Sequence, residues 1–197
     1  MLFVMRNPTT IKSLGILLLW NVFIGILPVY AQDAEKDILL QGIELSRQGK
    51  FEEAVALYSK VIELNPQNAD AYNNRATANG FREDFVAAIS DFTKAIELRP
   101  NFAVAYYSRA TALGVTGRFD EALADFGKAI EINARYGQAY ADRAKIYYIK
   151  KEYQKSLDDV MKANELGVAA DPEVVESLQK FIENPEPAPF HAPANLQ

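Results

Sequence analysis

The chain is 197 residues long, 49% hydrophobic and 24% charged, a balance that excludes global disorder and suits one domain with accessory segments. It has no cysteine, which excludes disulfides, thiolate metal sites, a cysteine nucleophile and a lipid-anchored N-terminal cysteine. Its formal charge is −5 and it has no lysine/arginine cluster, which argues against a nucleic-acid partner, since phosphates need a basic face to neutralise them.

Residues 1–13 carry Arg6, Lys12 and no acid. Residues 14–29, LGILLLWNVFIGILPV, carry no charge. Pro28 then breaks the helix, and Val29-Tyr30-Ala31 supplies a small-x-small site. This order reads as an export signal over residues 1–31, cleaved after Ala31. The alternative is an uncleaved membrane anchor. A span wants about 20 apolar residues, and this run is shorter and contains Asn21. Either reading places the rest of the chain outside the cytoplasm, as a periplasmic or secreted protein or one anchored in the inner membrane. Loss of residues 1–31 lowers the formal charge to −7.

A repeat follows. Residues 69–102 and 103–136 align at an offset of 34, with Tyr72 over Tyr106, Arg75 over Arg109, Ala76 over Ala110, Ala88 over Ala122 and Asp91 over Asp125. Residues 35–68 and 137–170 continue the register on either side. A fixed period of this length signals a solenoid of like units. Each half-unit spaces its apolar residues by three and four, which predicts two amphipathic helices per unit. Gly49 separates the halves of the first unit and Asn65-Pro66 closes it. Ala134 and Val168 stand where a closing Pro is expected in the third and fourth units, so those turns need other chemistry. Small residues at the eighth and twentieth places let the two helices approach, and stacked units bury a stripe that no single unit could bury.

This spacing resembles the tetratricopeptide repeat, over residues 35–170. The departures are Tyr…Arg-Ala in place of the family's Trp/Leu-Gly start, Asn79 in place of Tyr, and Glu83 and Lys151 in place of the inter-helix Gly. The resemblance implies an all-α, right-handed superhelical solenoid of four antiparallel helix hairpins. Asp171-Pro172 starts a further helix, whose stripe of Val174, Val175, Leu178, Phe181 and Ile182 implies a cap over residues 171–183. Residues 184–197 carry four prolines and little to bury, and are expected to be a disordered tail.

Catalytic chemistry is not expected. The only histidine, His191, stands in the Pro-rich tail rather than on a rigid element, so no triad or histidine metal site is predicted. No cofactor and no metal are expected. Arg75, Arg109 and Arg143 recur at the seventh place, and Asp91, Asp125 and Asp159 at the twenty-third; both vanish together in the first unit, where Gln41 and Leu57 stand. That covariation predicts Arg–Asp pairs between the helices of one hairpin. The alternative is an arginine ladder gripping acidic ligands, but the Asp would already neutralise each Arg.

The resemblance implies a concave face built from the first helices. There it places Asn73, Asn74, Thr77 and Phe81, then Tyr107, Ser108, Thr111 and Val115, then Gln138, Asp142, Lys145 and Tyr148. Amides and hydroxyls can pair with an extended backbone and Tyr can anchor side chains, so a protein or peptide partner is expected there. Tyr107 and Tyr148 are expected to reach one channel flanked by Asn73, Asn74 and Thr111. Leu39 and Ile43 replace the Lys/Asn clamp with which chaperone-binding members hold a C-terminal carboxylate. The competing reading is a structural component of an envelope assembly, acting through self-association or a membrane anchor. The sequence does not specify an oligomeric state.

Overall fold

A computed structural model describes residues 34–184. The expected export signal (1–31) and the tail from residue 185 onward lie outside the described residues. Nine helices follow one another among those described. They are α1 (34–47), α2 (Phe51–Leu64), α3 (Ala69–Phe81), α4 (Phe85–Leu98), α5 (Ala103–Val115), α6 (Phe119–Ile132), α7 (Gly137–Ile149), α8 (Tyr153–Glu165) and α9 (Pro172–Glu183). α1 to α8 pair as four antiparallel hairpins, and α9 ends the solenoid.

The hairpins form because each turn is built the same way. The residue after the first helix donates its N–H back along the helix: Lys50 to Leu45, Asp84 to Asn79, Arg118 to Leu113 and Glu152 to Tyr147, all at 2.9 Å. This closure needs a left-handed residue one place earlier. Gly49 and Gly117 supply it at φ 76° and 77°. Glu83 and Lys151 adopt the same conformation, at φ 62° and 61°, in spite of their Cβ. Asn68, Asp84 and Asp171 cap α3, α4 and α9 by accepting from Ala71, Ala87 and Glu173 N–H.

The third and fourth units close without proline. Asn133 Oδ1 accepts from Arg135 N–H at 3.1 Å, as Asn65 Oδ1 accepts from Gln67 N–H at 3.0 Å. The fourth unit ends on Gly167 at φ 86°, with Val168 N–H on Ala163 O at 2.9 Å and Asn164 Oδ1 accepting from Ala170 N–H at 2.6 Å.

Inside each hairpin small residues meet aromatics. Ala76, Ala88, Ala110 and Ala122 have no exposed surface, and Phe92 and Phe126 fill the space beside them. In the first hairpin Gly42 faces Tyr58, whose ring would lie 2.6 Å from a Cβ at that position. Ser156 takes the alanine place of the fourth hairpin and satisfies its hydroxyl on Ala144 O at 2.9 Å. First helices touch each other across hairpins, α3 with α5 and α5 with α7, whereas second helices do not. The first helices therefore line the inner surface.

Candidate functional site

The three Arg–Asp pairs are bidentate. Arg75 gives Nε and Nη2 to Asp91 at 2.7 and 2.8 Å, Arg109 to Asp125 at 2.6 and 2.8 Å, and Arg143 to Asp159 at 2.7 and 2.8 Å. The carboxylate bonds hold each guanidinium above its ordinary pKa, against burial, which lowers it. Each guanidinium also lies over the ring one turn earlier, Tyr72, Tyr106 or Tyr140, at 5.6–5.7 Å. The sequence reading missed a third partner. Nη1 of Arg75 reaches Ser59 Oγ at 3.0 Å, and Nη1 of Arg109 reaches Thr93 Oγ1 at 2.9 Å, both on the preceding hairpin. These arginines tie helix to helix and unit to unit, so their charge is used internally.

On the inner surface Asp142 gathers three donors. Tyr107 Oη donates to Oδ2 at 2.8 Å, Gln138 Nε2 to Oδ2 at 3.1 Å, and Lys145 Nζ to Oδ1 at 2.7 Å. Burial alone would raise this carboxyl, but the bonds from Lys145, Tyr107 and Gln138 outweigh it and hold the pKa below the ordinary value. Burial, then the bond to Asp142, pushes the Tyr107 hydroxyl far above its usual pKa. The Tyr107 ring packs on Tyr136 at 4.9 Å and on Phe126 at 5.8 Å.

The residues of the expected binding wall sit in different settings. Asn73 is only 8% exposed, and its buried Oδ1 has no hydrogen-bond partner among the described residues. Its place on α3 is the one that Tyr107 holds on α5. Tyr107 and Tyr148 do not share a channel. Tyr107, Thr77, Ser108 and Thr111 line a hollow of about 230 Å³ between α3 and α5, while Tyr148 and Lys145 line another against α9. Lys145 and Tyr107 both spend polar atoms on Asp142. Asn74 is half-buried, accepts from Asn73 Nδ2 at 3.4 Å and lines neither hollow. Leu39 and Ile43 pack around Tyr58, which leaves no clamp for a carboxylate at their places.

Two further features mark the inner surface, the first including Phe81 and Val115 of the expected concave face. The first is a row of exposed apolar side chains at the ends of α3, α5 and α7: Phe81 (67%), Val115 (64%) and Ile149 (56%). They recur at the repeat period. The second is an apolar cleft of about 740 Å³ between α7, α8 and α9, lined in part by Ala141, Tyr148, Ile149, Val160, Val174 and Ser177. Leu178 at the eighth place of the register continued from Asp171, where α3, α5 and α7 carry Ala76, Ala110 and Ala144, is the sequence signal for it. Among the described residues there is no group of three metal-binding side chains, and no helix is long and apolar enough to cross a membrane.

Family models for the TPR repeat match residues 43–80, and for the tetratricopeptide repeat residues 69–102 and 103–136. No curated protein matches the chain. Among solved structures, one of MamA superposes with TM-score 0.65 at 26% identity, covering 68% of this chain and 78% of that one. The Arabidopsis OM64 TPR domain gives 0.59 at 29% identity, covering 60% and 98%. The first TPR domain of Spaghetti (RPAP3), bound to the HSP90 peptide SRMEEVD, gives 0.58 at 27% identity, covering 58% and 91%. The chain has the tetratricopeptide repeat fold.

Proposed function

We propose that the chain is an assembly component that associates with a second copy of itself through its inner rim. The observation that carries this reading is the evenly spaced row Phe81, Val115 and Ile149. An evenly spaced row is self-complementary under a two-fold rotation. With the axis at Val115, the two copies of Val115 meet and Phe81 of each copy meets Ile149 of the other. Exposed apolar patches of this kind mark interaction surfaces.

The ends of the solenoid favour the rim over head-to-tail stacking. On α1, Asp37 and Glu44 are exposed where later units bury Ala71, Ala105 and Ala139, and Ala78, Ala112 and Ile146. A further unit stacked there would bury two carboxylates, which is costly unless each is fully paired. The test is sedimentation velocity of the full-length chain over a concentration series, beside Val115→Asp. A concentration-dependent dimer that Val115→Asp abolishes is expected. A wild-type chain that stays monomeric throughout overturns the reading.

The hollow between α3 and α5 favours a second reading, capture of an extended peptide by Thr77, Ser108 and Thr111. An acidic peptide such as that held by the Spaghetti domain does not suit this surface. The chain carries net negative charge, and Lys145 is already paired with Asp142. We further propose that the module acts outside the cytoplasm after cleavage behind Ala31. N-terminal sequencing of the mature protein should begin at Gln32, and a mature form starting at Met1 contradicts it.

A further inference from the structure

The last helix does not close on the solenoid as the other first-position helices do. The backbones of α3, α5 and α7 approach one another, but that of α9 approaches α8 and meets α7 only through side chains such as Leu178 and Phe181. The cause is in its sequence. The interface between units buries alanine or isoleucine at the third and tenth places of the unit (Ala105 and Ala112, Ala139 and Ile146), and the register continued from Asp171 puts Glu173 and Lys180 there. α9 instead turns Leu178 inward, fully buried against Ala144 and Val160. Tyr153 and Phe181 stack at 4.8 Å, and Tyr148 meets Phe181 edge-on at 6.2 Å, which pins the C-terminal end of α9. The rest of the gap is the apolar cleft, whose wall includes Val174, 45% exposed, and Ile149.

The chain itself carries a segment suited to that cleft. α9 ends at Glu183, and residues 185–197 read PEPAPFHAPANLQ. Phe190 is the one large apolar side chain in its first half. From Asn184, six extended residues reach about 20 Å at ~3.3 Å each. Val174 lies ten residues back along α9, about 15 Å at ~1.5 Å per residue. A segment that reverses after Asn184 therefore brings Phe190 level with Val174. Pro185, Pro187 and Pro189 restrict its conformations and lower the entropy cost of docking.

We propose that residues 185–197 dock in the cleft between α7 and α9 with Phe190 as the anchor, covering Ile149 and Val174. The docked segment would then compete with anything that binds the C-terminal end of the rim row. The inference does not rest on self-association, since it concerns one chain; a docked segment covering Ile149 would oppose the contact of Ile149 with Phe81 of a second copy.

The absence of cysteine makes the test clean. Ser177→Cys and His191→Cys are introduced together in the full-length chain, and intramolecular disulfide formation is followed under mild oxidation at low protein concentration. A control chain joins His191→Cys to Gln179→Cys, on α9 but outside the cleft lining and as near to the tether. The Ser177 pair should close at least about tenfold faster than the Gln179 pair, and adding Phe190→Ala should slow it about tenfold, the scale set by burying one phenyl ring. Equal rates for both pairs, no effect of Phe190→Ala, or a disulfide that forms only between chains would each overturn the proposal. Far-ultraviolet circular dichroism confirms that every variant is folded, and Ala188→Cys replaces His191→Cys if the latter is not.

Discussion

A Cβ added at Gly127 would stand 3.8 Å from Nη1 of Arg143. At the two equivalent rungs that nitrogen meets a hydroxyl, Ser59 Oγ for Arg75 and Thr93 Oγ1 for Arg109. The third rung of the ladder has lost its link to the preceding hairpin, and the residue responsible is a glycine inside α6. Gly127→Thr should restore the link and remove a helix-interior glycine, raising stability by about 1 kcal/mol or more. Urea unfolding measures this; an unchanged or lowered midpoint would show that the hydroxyls at the other rungs contribute nothing.

The Arg–Asp pairs call for a different experiment. The side chains of Arg109 and Asp125 are 19% and 10% exposed. Removing one partner strands a largely buried charge, at a cost of about 3 kcal/mol or more. Asp125→Ala should therefore destabilise more than Asp125→Ala combined with Arg109→Leu. Strict additivity in the double-mutant cycle contradicts the coupling.

Backbone strain gives a paired prediction. Glu83 holds φ 62° in a turn where Gly117 holds 77°. Glu83→Gly should relieve a left-handed conformation and stabilise by about 0.5–1 kcal/mol, after allowing for the greater freedom of glycine when unfolded. Gly117→Ala should destabilise by a similar amount, although no atom lies within 4 Å of its added Cβ. Thermal midpoints moving in the same direction for both would refute this.

Much of this architecture was legible because the units repeat. Covariation of Arg75, Arg109 and Arg143 with Asp91, Asp125 and Asp159 identified the pairs within hairpins. The hydroxyl partners carried a signal too, since Ser59 precedes Arg75, and Thr93 precedes Arg109, by the same 16 residues that separate each Arg from its Asp. That signal broke at Gly127 and passed unnoticed. Inner-surface burial was not legible: one place holds Leu39, Asn73, Tyr107 and Ala141, and side chains of such different size decide locally whether the surface closes or opens. The splay of α9 depends on which face it buries, and Leu178 in place of alanine reports it only once the packing is seen.

The Tyr107–Asp142 bond makes stability depend on pH at both extremes. Asp142 has a lowered pKa when folded, so its contribution is present above the ordinary value of 3.8 and is lost as pH falls through the folded pKa. Tyr107 has a raised pKa when folded, so its contribution is complete below the ordinary value of 10.0 and is lost as pH rises beyond it. Tyr107→Phe should cost about 1 kcal/mol at neutral pH and flatten the alkaline loss. An alkaline limb as steep as in the wild type contradicts the assignment.

The inner rim as the contact surface is tested most directly by site-specific photocrosslinking in the full-length chain. A photoreactive residue is placed at Val115 on the rim or at Lys128 on the outer side of α6, where it pairs with Glu131. The account predicts a covalent dimer from position 115 and none from position 128. A dimer from position 128 with none from position 115 would contradict it and place the contact on the outer helices.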